Sequence, residues 1–306
     1  QVRCMKLDHS HSRAVRHSMF IAGEIVVMSE VAIRHWAGID EAGYGPLLGP
    51  LVVACAVFDG PSPDLRPARG GAMKVGDSKK IYPGKGGLAR LETTVLAFYA
   101  LRHGRLPATL GEWLAQDPSP ELSALLESHP WYRGCACRLP LAATPESVEA
   151  ATASLRAAAG PAEFRGFVLR VVPEATFNGR HSQDHNKHMA LFDDVMDLIR
   201  GILAPELLVT VDKLGGRNRY RERLEGAFPW VVVDVLDETR EVGRYRLGLS
   251  ESSIEIEFMM KADARRFAVA LASMAAKYTR EALMTLFNDY WARRVPGIAP
   301  TAGYYV

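Results

Sequence analysis

Cysteine is scarce in this chain, with four in 306 residues, at positions 4, 55, 135 and 137. So few thiols, so unevenly spaced, cannot frame a fold of this length, and they point to a reducing compartment and a cytoplasmic protein. Cys135 and Cys137 make half of a zinc pattern, but no second pair follows them. Excess charge of one sign is missing as well. Thirty-seven Lys and Arg face 35 Asp and Glu, a net of +2, which excludes a surface that seeks polyanions over its whole extent. Long hydrophobic runs are also absent near the start. The stretch 19–28 is short and carries Glu24, so it excludes a membrane span, and no small-residue cleavage pattern marks a signal peptide. No repeat is visible. What remains, 48% hydrophobic and 24% charged, is the composition of an ordinary globular domain.

Residues 1–30 read as a disordered or mis-annotated leader, because Gln1 is not a Met and His9, His11 and His17 are scattered among Ser and Arg; Met28 is a more natural start. The chain closes at 301–306 in a Gly and aromatic segment without a final helix, as expected of a fragment. Between these ends the pattern predicts one domain, 31–306. A strand near 34–40, a Gly/Pro turn and a buried strand at 51–58 suggest a hairpin. A helix at 88–101 follows. The proline-bearing, Ala-rich stretch 106–163 reads as a helical insertion. Then come a strand at 164–172, a helix at 184–202, an apolar strand at 207–211, a strand near 231–235, a hairpin of 244–249 with 253–259, and a long helix from 263 to 291. Alternating strands and helices predict the α/β class with a mixed sheet flanked by helices.

Three places carry carboxylates at the ends of these elements. Asp40 and Glu41 are adjacent, and consecutive strand residues face opposite sides, so the two share a site only where the strand ends and the backbone turns. The glycines of Ala42-Gly43-Tyr44-Gly45 supply that turn and let a ligand approach closely. The alternative is a solvated pair capping a hairpin. Asp212 ends a strand that otherwise reads as buried, at the sheet edge where α/β ligand sites form. Beside it, Lys213 to Arg221 reads as a Gly turn leading into a cationic helix start containing Arg217. Either it holds an anion, against the helix dipole, or it is an exposed basic face. Asp263 lies between a strand and a helix. Along that helix Phe267, Ala270, Leu271, Met274, Ala275 and Tyr278 form a core stripe, and Arg266, Ser273, Lys277 and Arg280 a polar one, which lines a phosphate backbone or faces water. Four carboxylates without a His set suit Mg2+ or Mn2+ rather than zinc, and two such ions are suited to phosphodiester hydrolysis.

The stretch from Gly38-Ile39-Asp40-Glu41-Ala42-Gly43-Tyr44-Gly45-Pro46 to Val53, the segment Asp77-Ser78-Lys79-Lys80, the segment Lys261-Ala262-Asp263-Ala264, the run from Ala272 to Glu281 and the pair Gly303-Tyr304 resemble, in order, the motifs of the ribonuclease HII family. The resemblance implies a ribonuclease H-like α/β fold and an endonuclease that cuts the RNA strand of RNA–DNA hybrids, leaving 3′-hydroxyl and 5′-phosphate ends. It implies Asp40, Glu41, Asp212 and Asp263 as catalytic, metal-binding acids for Mg2+ or Mn2+. Ser78, Lys79, Ser273 and Lys277 would contact the nucleic-acid backbone. Tyr304 would meet the sugar at an RNA–DNA junction, and Gly43, Tyr44 and Gly45 would lie against the substrate. One departure is specific: the family's Gly-Arg-Gly turn reads Gly43-Tyr44-Gly45, which removes a guanidinium and implies altered junction selectivity. The expected partner is an RNA–DNA hybrid, with no membrane and a monomeric chain. The alternatives are a non-catalytic hybrid-binding protein and another phosphodiesterase of the same fold.

Overall fold

The computed structural model describes residues 18–21, 24–27, 33–61, 75–76, 78–82, 86–133, 135–158, 162–184, 187–249 and 252–304. The chain divides into two units at 32/33. In the first, β1 (Ser18–Ile21) pairs antiparallel with β2 (Glu24–Val27); the rest of the expected leader lies outside the described residues.

The second unit is built on a seven-stranded mixed sheet. Its strands are β3 (His35–Ala42), β4 (Leu51–Asp59), β5 (Glu163–Val172), β6 (Leu207–Asp212), β7 (Val232–Glu238), β8 (Val242–Gly248) and β9 (Ser253–Met259), in the order β5-β4-β3-β6-β9-β8-β7. β6 runs parallel to both β3 and β9, and the outer pairings are antiparallel. The expected hairpins 34–40/51–58 and 244–249/253–259 are both present.

Strand alternation divides the core into two layers. Val52, Ala54, Ala56 and Phe58 of β4 face one cluster, shared with α2 (Gly87–His103) and α10 (Phe267–Ala292). Leu51, Val53 and Cys55 face the other, with Ile39, Val209, Val211 and the apolar stripe of α7 (Lys187–Gly201). Helices on both faces are the arrangement the alternating pattern predicts.

Within 106–163 lie α3 (Leu110–Leu114), α4 (Pro120–Ser128) and α5 (Pro145–Ala157). They are tied into the first core layer rather than set apart. Trp113 is fully buried and its indole Nε1 donates to Thr279 Oγ1 of α10 at 2.9 Å. The buried Glu92 carboxylate of α2 accepts the backbone N–H groups of Leu141, Ala142 and Ala143 at 2.7, 2.7 and 2.8 Å, and the Tyr278 hydroxyl at 3.0 Å.

Three elements differ from expectation. Residues 184–202 are not one helix: α6 (Glu174–Asp184) precedes α7, and its polar sequence has no apolar stripe to announce it. The basic run after Asp212 is an irregular turn, with α8 (Arg221–Ala227) beginning only at Arg221. Gly215 and Gly216 both take left-handed backbone, with φ of 60° and 71°, and Tyr220 stacks on Phe258 at 3.7 Å between ring centroids. The last helix is also broken. A single turn, α9 (Ala262–Arg265), is followed by Arg266 in extended backbone, with its guanidinium on the buried Glu257, before α10 begins.

Candidate active site

The register of β3 against β6 ends at Ile39 and Val211, so Asp40 and Asp212 are the next residues of two adjacent parallel strands and share the face that α10 covers. Gly38 makes this possible. A Cβ at that position would lie 2.2 Å from the backbone of Ala268 and Val269, so only glycine lets α10 lie directly on the strand that presents Asp40.

Asp40 is held from two sides. Its Oδ1 accepts the Glu41 backbone N–H at 2.9 Å, and Ser273 of α10 donates to its carboxylate. Ser273 Oγ in turn lies 2.9 Å from Ser78 Oγ of the short helix α1 (Ser78–Ile81), with both serines buried. Burial and then the Glu41 charge push the Asp40 carboxyl well above the usual carboxylate range, the Ser273 and Glu41 hydrogen bonds oppose the rise, and Asp212 adds to it. Asp40, Glu41 and Asp212 thus form one electrostatic group. Asp212 Oδ1 accepts the Ala262 backbone N–H at 2.9 Å, which sets the half-buried Asp263 one residue beyond that bond. Among the described residues no three His, Cys, Asp or Glu side chains are grouped closely enough to hold a metal ion as they stand. The donor chemistry nevertheless fits a hard divalent cation: oxygen ligands whose mutual repulsion raises a carboxyl pKa are what such an ion relieves.

The turn after Glu41 is joined to the far end of the chain. Leu47 and Leu48 donate their backbone N–H groups to the Gly303 carbonyl at 2.8 and 3.2 Å. The buried Arg280 guanidinium donates through Nη2 to the carbonyls of Leu48 and Ala302 at 2.9 and 3.0 Å. Asn288 clasps Thr301 through both backbone groups. Tyr304, 58% exposed, therefore stands over Gly45, where an added Cβ would lie 3.6 Å from its ring. Gly43, with φ of 97°, is pressed between Pro50 and Arg280, so no side chain fits there.

The side chains expected against substrate divide into two groups. Gly45, Tyr304 and Arg217 are exposed, and Gly43 is half-buried. Ser78 and Ser273 are buried against Asp40, so they hold the carboxylate rather than face solvent. Lys277 donates to Glu281 at 2.7 Å and lies 4.6 Å from the Tyr82 ring centre. The polar stripe of α10 is thus neither a water face nor an open phosphate rail, because its members are spent on Glu257, Asp40, Glu281 and the 48/302 carbonyls. Tyr44 is drawn against α7. Its hydroxyl is 2.8 Å from His188 Nδ1, the two rings stack, and Lys187 Nζ lies 4.7 Å from its ring centre. Asp77 and the side chains of Lys79 and Lys80 lie outside the described residues. Sequence reasoning passed over Lys187 and His188, which have no spacing signal, and assigned nothing to Lys261, which takes left-handed backbone with φ of 54°.

An α/β chain with carboxylates at the ends of two central parallel strands is thereby defined. Residues 37–89 match the family model for Ribonuclease HII. The chain is 44% identical over 66 residues to the ribonuclease HII of Chlorobium phaeobacteroides, covering 21% of this chain and 31% of that protein. It is 52% identical over 48 residues to the ribonuclease HII of Thermococcus kodakarensis, covering 15% and 19%. The chain thus spans less than a third of the length of these relatives. It is similar to the crystal structure of ribonuclease H2 from Pyrococcus horikoshii with a TM-score of 0.41 and 16% identity, over 89% of this chain and 81% of that one. The sequence matches show a similarity to the ribonuclease HII family that centres on residues 37–89.

Proposed function

We propose that this chain is a divalent-metal-dependent ribonuclease H that hydrolyses the RNA strand of RNA–DNA hybrids, with Asp40, Glu41, Asp212 and Asp263 holding Mg2+ or Mn2+. The observation that carries the reading is the pairing of Asp40 with Asp212 at adjacent strand ends, where burial and mutual repulsion leave a carboxyl charge in want of a cation. A bound divalent ion supplies Lewis-acid stabilisation of the phosphoryl charge and a more acidic water. The chain's own residues do the rest. Ser273 and the Glu41 backbone N–H orient Asp40, the Ala262 N–H orients Asp212, and Gly43 lets the turn after Glu41 seat on Pro50 and Arg280 so that Gly45 lies beside the exposed Tyr304. In the reaction a water oxygen bonds to phosphorus as the bond to the 3′ oxygen breaks, leaving a 3′-hydroxyl and a 5′-phosphate. Where the family has an arginine, Tyr44 carries Lys187 on its ring face, which supports a changed preference between a single embedded ribonucleotide and a continuous hybrid.

The test is cleavage of a labelled RNA–DNA hybrid by the purified chain, with Mg2+ or Mn2+ and with chelator. Cleavage is expected with metal and not with chelator, and Asp40→Asn is expected to lower it by about 10²–10⁴-fold, the loss of ~3–5 kcal/mol of charge stabilisation. Cutting by Asp40→Asn at the wild-type rate overturns the assignment.

A further inference from the structure

Beyond Asp212, on the side away from Asp40, the basic run after that residue borders an open pocket of about 390 Å³, lined among others by Asp212, Lys213, Gly216, Asn218, Arg240 and Lys261. Its walls are tied together. Lys213 Nζ donates to Asn218 Oδ1 and to the carbonyls of Thr239 and Arg240 at 3.0, 3.0 and 2.9 Å, which uses all three of its protons and pins the 214–218 turn to the 239–240 turn.

The neighbouring arginines each meet a carboxylate, two of them sharing Glu257. Arg219 pairs with Glu238, Arg221 with Glu225, Arg244 and Arg266 with Glu257, Arg246 with Glu255 and Arg265 with Glu241. Arg240 and Lys261 on the pocket, and Arg217 between two of its lining residues, are exposed and, among the described residues, make no ion pair. In a chain whose charges nearly cancel, three cations left without carboxylates around one pocket mark a place for an anion. The backbone agrees. Lys261, like Glu206, holds a left-handed conformation that few non-glycine residues adopt. Gly216, also left-handed, has open space where a side chain would be, so a ligand backbone can come close.

We infer that this pocket binds a phosphodiester group of the nucleic-acid strand that runs across the carboxylates, one or more nucleotides from the scissile phosphate. Asp212 forms part of its wall and repels a small free anion, whereas a strand anchored at the carboxylates delivers its next phosphates to Arg240 and Lys261 by connectivity. The inference rests on the proposed hybrid-cleaving function and adds to it the path of the strand.

Metal-free binding of a fluorescent RNA–DNA hybrid to the full chain across a salt series tests it. Arg240→Ala with Lys261→Gly, the glycine keeping the left-handed backbone, is expected to raise Kd on the order of tenfold and to flatten the log Kd against log salt slope by about 1.8, as when two fewer phosphates are neutralised. Arg240→Lys with Lys261→Arg is expected to restore both. A control pair on the helical layer, Arg102→Ala with Arg133→Ala, removes the same charge and is expected to leave the slope alone. An equal flattening in the control, or an unchanged slope in the first pair, overturns the inference. So does saturable binding of inorganic phosphate that the first pair abolishes while hybrid affinity holds. A wild-type chain that binds no hybrid defeats the proposed function itself, which a bound hybrid with an unmoved slope does not.

Discussion

Asp40 shows most clearly how a buried carboxylate counts against stability. Its folded-state pKa is raised, so the folded chain binds more protons than the unfolded one between the ordinary carboxylate value of 3.8 and the raised value. Stability therefore falls as pH rises through that window, and the cost persists above it. Asp40→Asn is expected to stabilise the metal-free protein by ~0.5–2 kcal/mol at neutral pH while lowering the proposed cleavage, with the gain disappearing as the pH is lowered toward the ordinary carboxylate value. Thermal melts in chelator against pH check it, and a variant that melts lower at neutral pH contradicts it. Glu92 is a buried carboxylate that accepts from three backbone N–H groups and the Tyr278 hydroxyl. Glu92→Ala leaves those donors unsatisfied in the interior, and a loss of about 3–4 kcal/mol is expected from denaturant unfolding. The carboxylates at element ends were legible from sequence because strand alternation and the glycine turn mark them. Glu92 was not, because its partners lie about 50 residues and 186 residues away.

At the scale of elements, α10 organises the site. From residue 268 to 284 nearly every side chain is buried, so the expected core stripe is real but incomplete as a description: small residues such as Ala272, Ala275 and Ala276 let the helix sink into the layer on all sides. Gly38→Ala forces a Cβ into the backbone at 268–269. A destabilisation of about 2–3 kcal/mol is expected, with cleavage reduced further because Ser273 is lifted off Asp40; a variant with wild-type melting temperature and activity contradicts this seating. The break at Arg266 was invisible in the sequence, whose apolar periodicity continues through it. There Arg266 takes extended backbone and pairs with Glu257 on β9, a partner nine residues earlier.

At the scale of the whole molecule, the turn after β3 and the segment after α10 meet at one place. The Leu47–Leu48 turn, Arg280 and the 301–304 segment form one hydrogen-bonded assembly. Truncation after Gly297 is expected to lower both melting temperature and hybrid cleavage, whereas Tyr304→Ala, which removes an exposed ring, is expected to raise KM by about 5- to 30-fold at unchanged melting temperature; a lowered melting temperature with unchanged KM overturns the contact role. Among the described residues no helix is long and apolar enough to cross a membrane.

The sequence by itself determined the α/β class, the two central hairpins and the carboxylates at strand ends, because these depend on local periodicity and on glycines whose backbone freedom is written in the chain. It also carried the motifs from 38 to 53 that the family match confirms as similar. Tertiary structure alone decided which cations remain available. Lys277, Arg280 and Arg266 look like a phosphate-facing stripe in one dimension, yet each meets an oxygen brought by another part of the fold or the next helical turn. Arg240 and Lys261, to which the sequence reading assigned no role, make no ion pair among the described residues and border the pocket beside Asp212. Charge pairing depends on distance in space, and that is the quantity a linear sequence does not record.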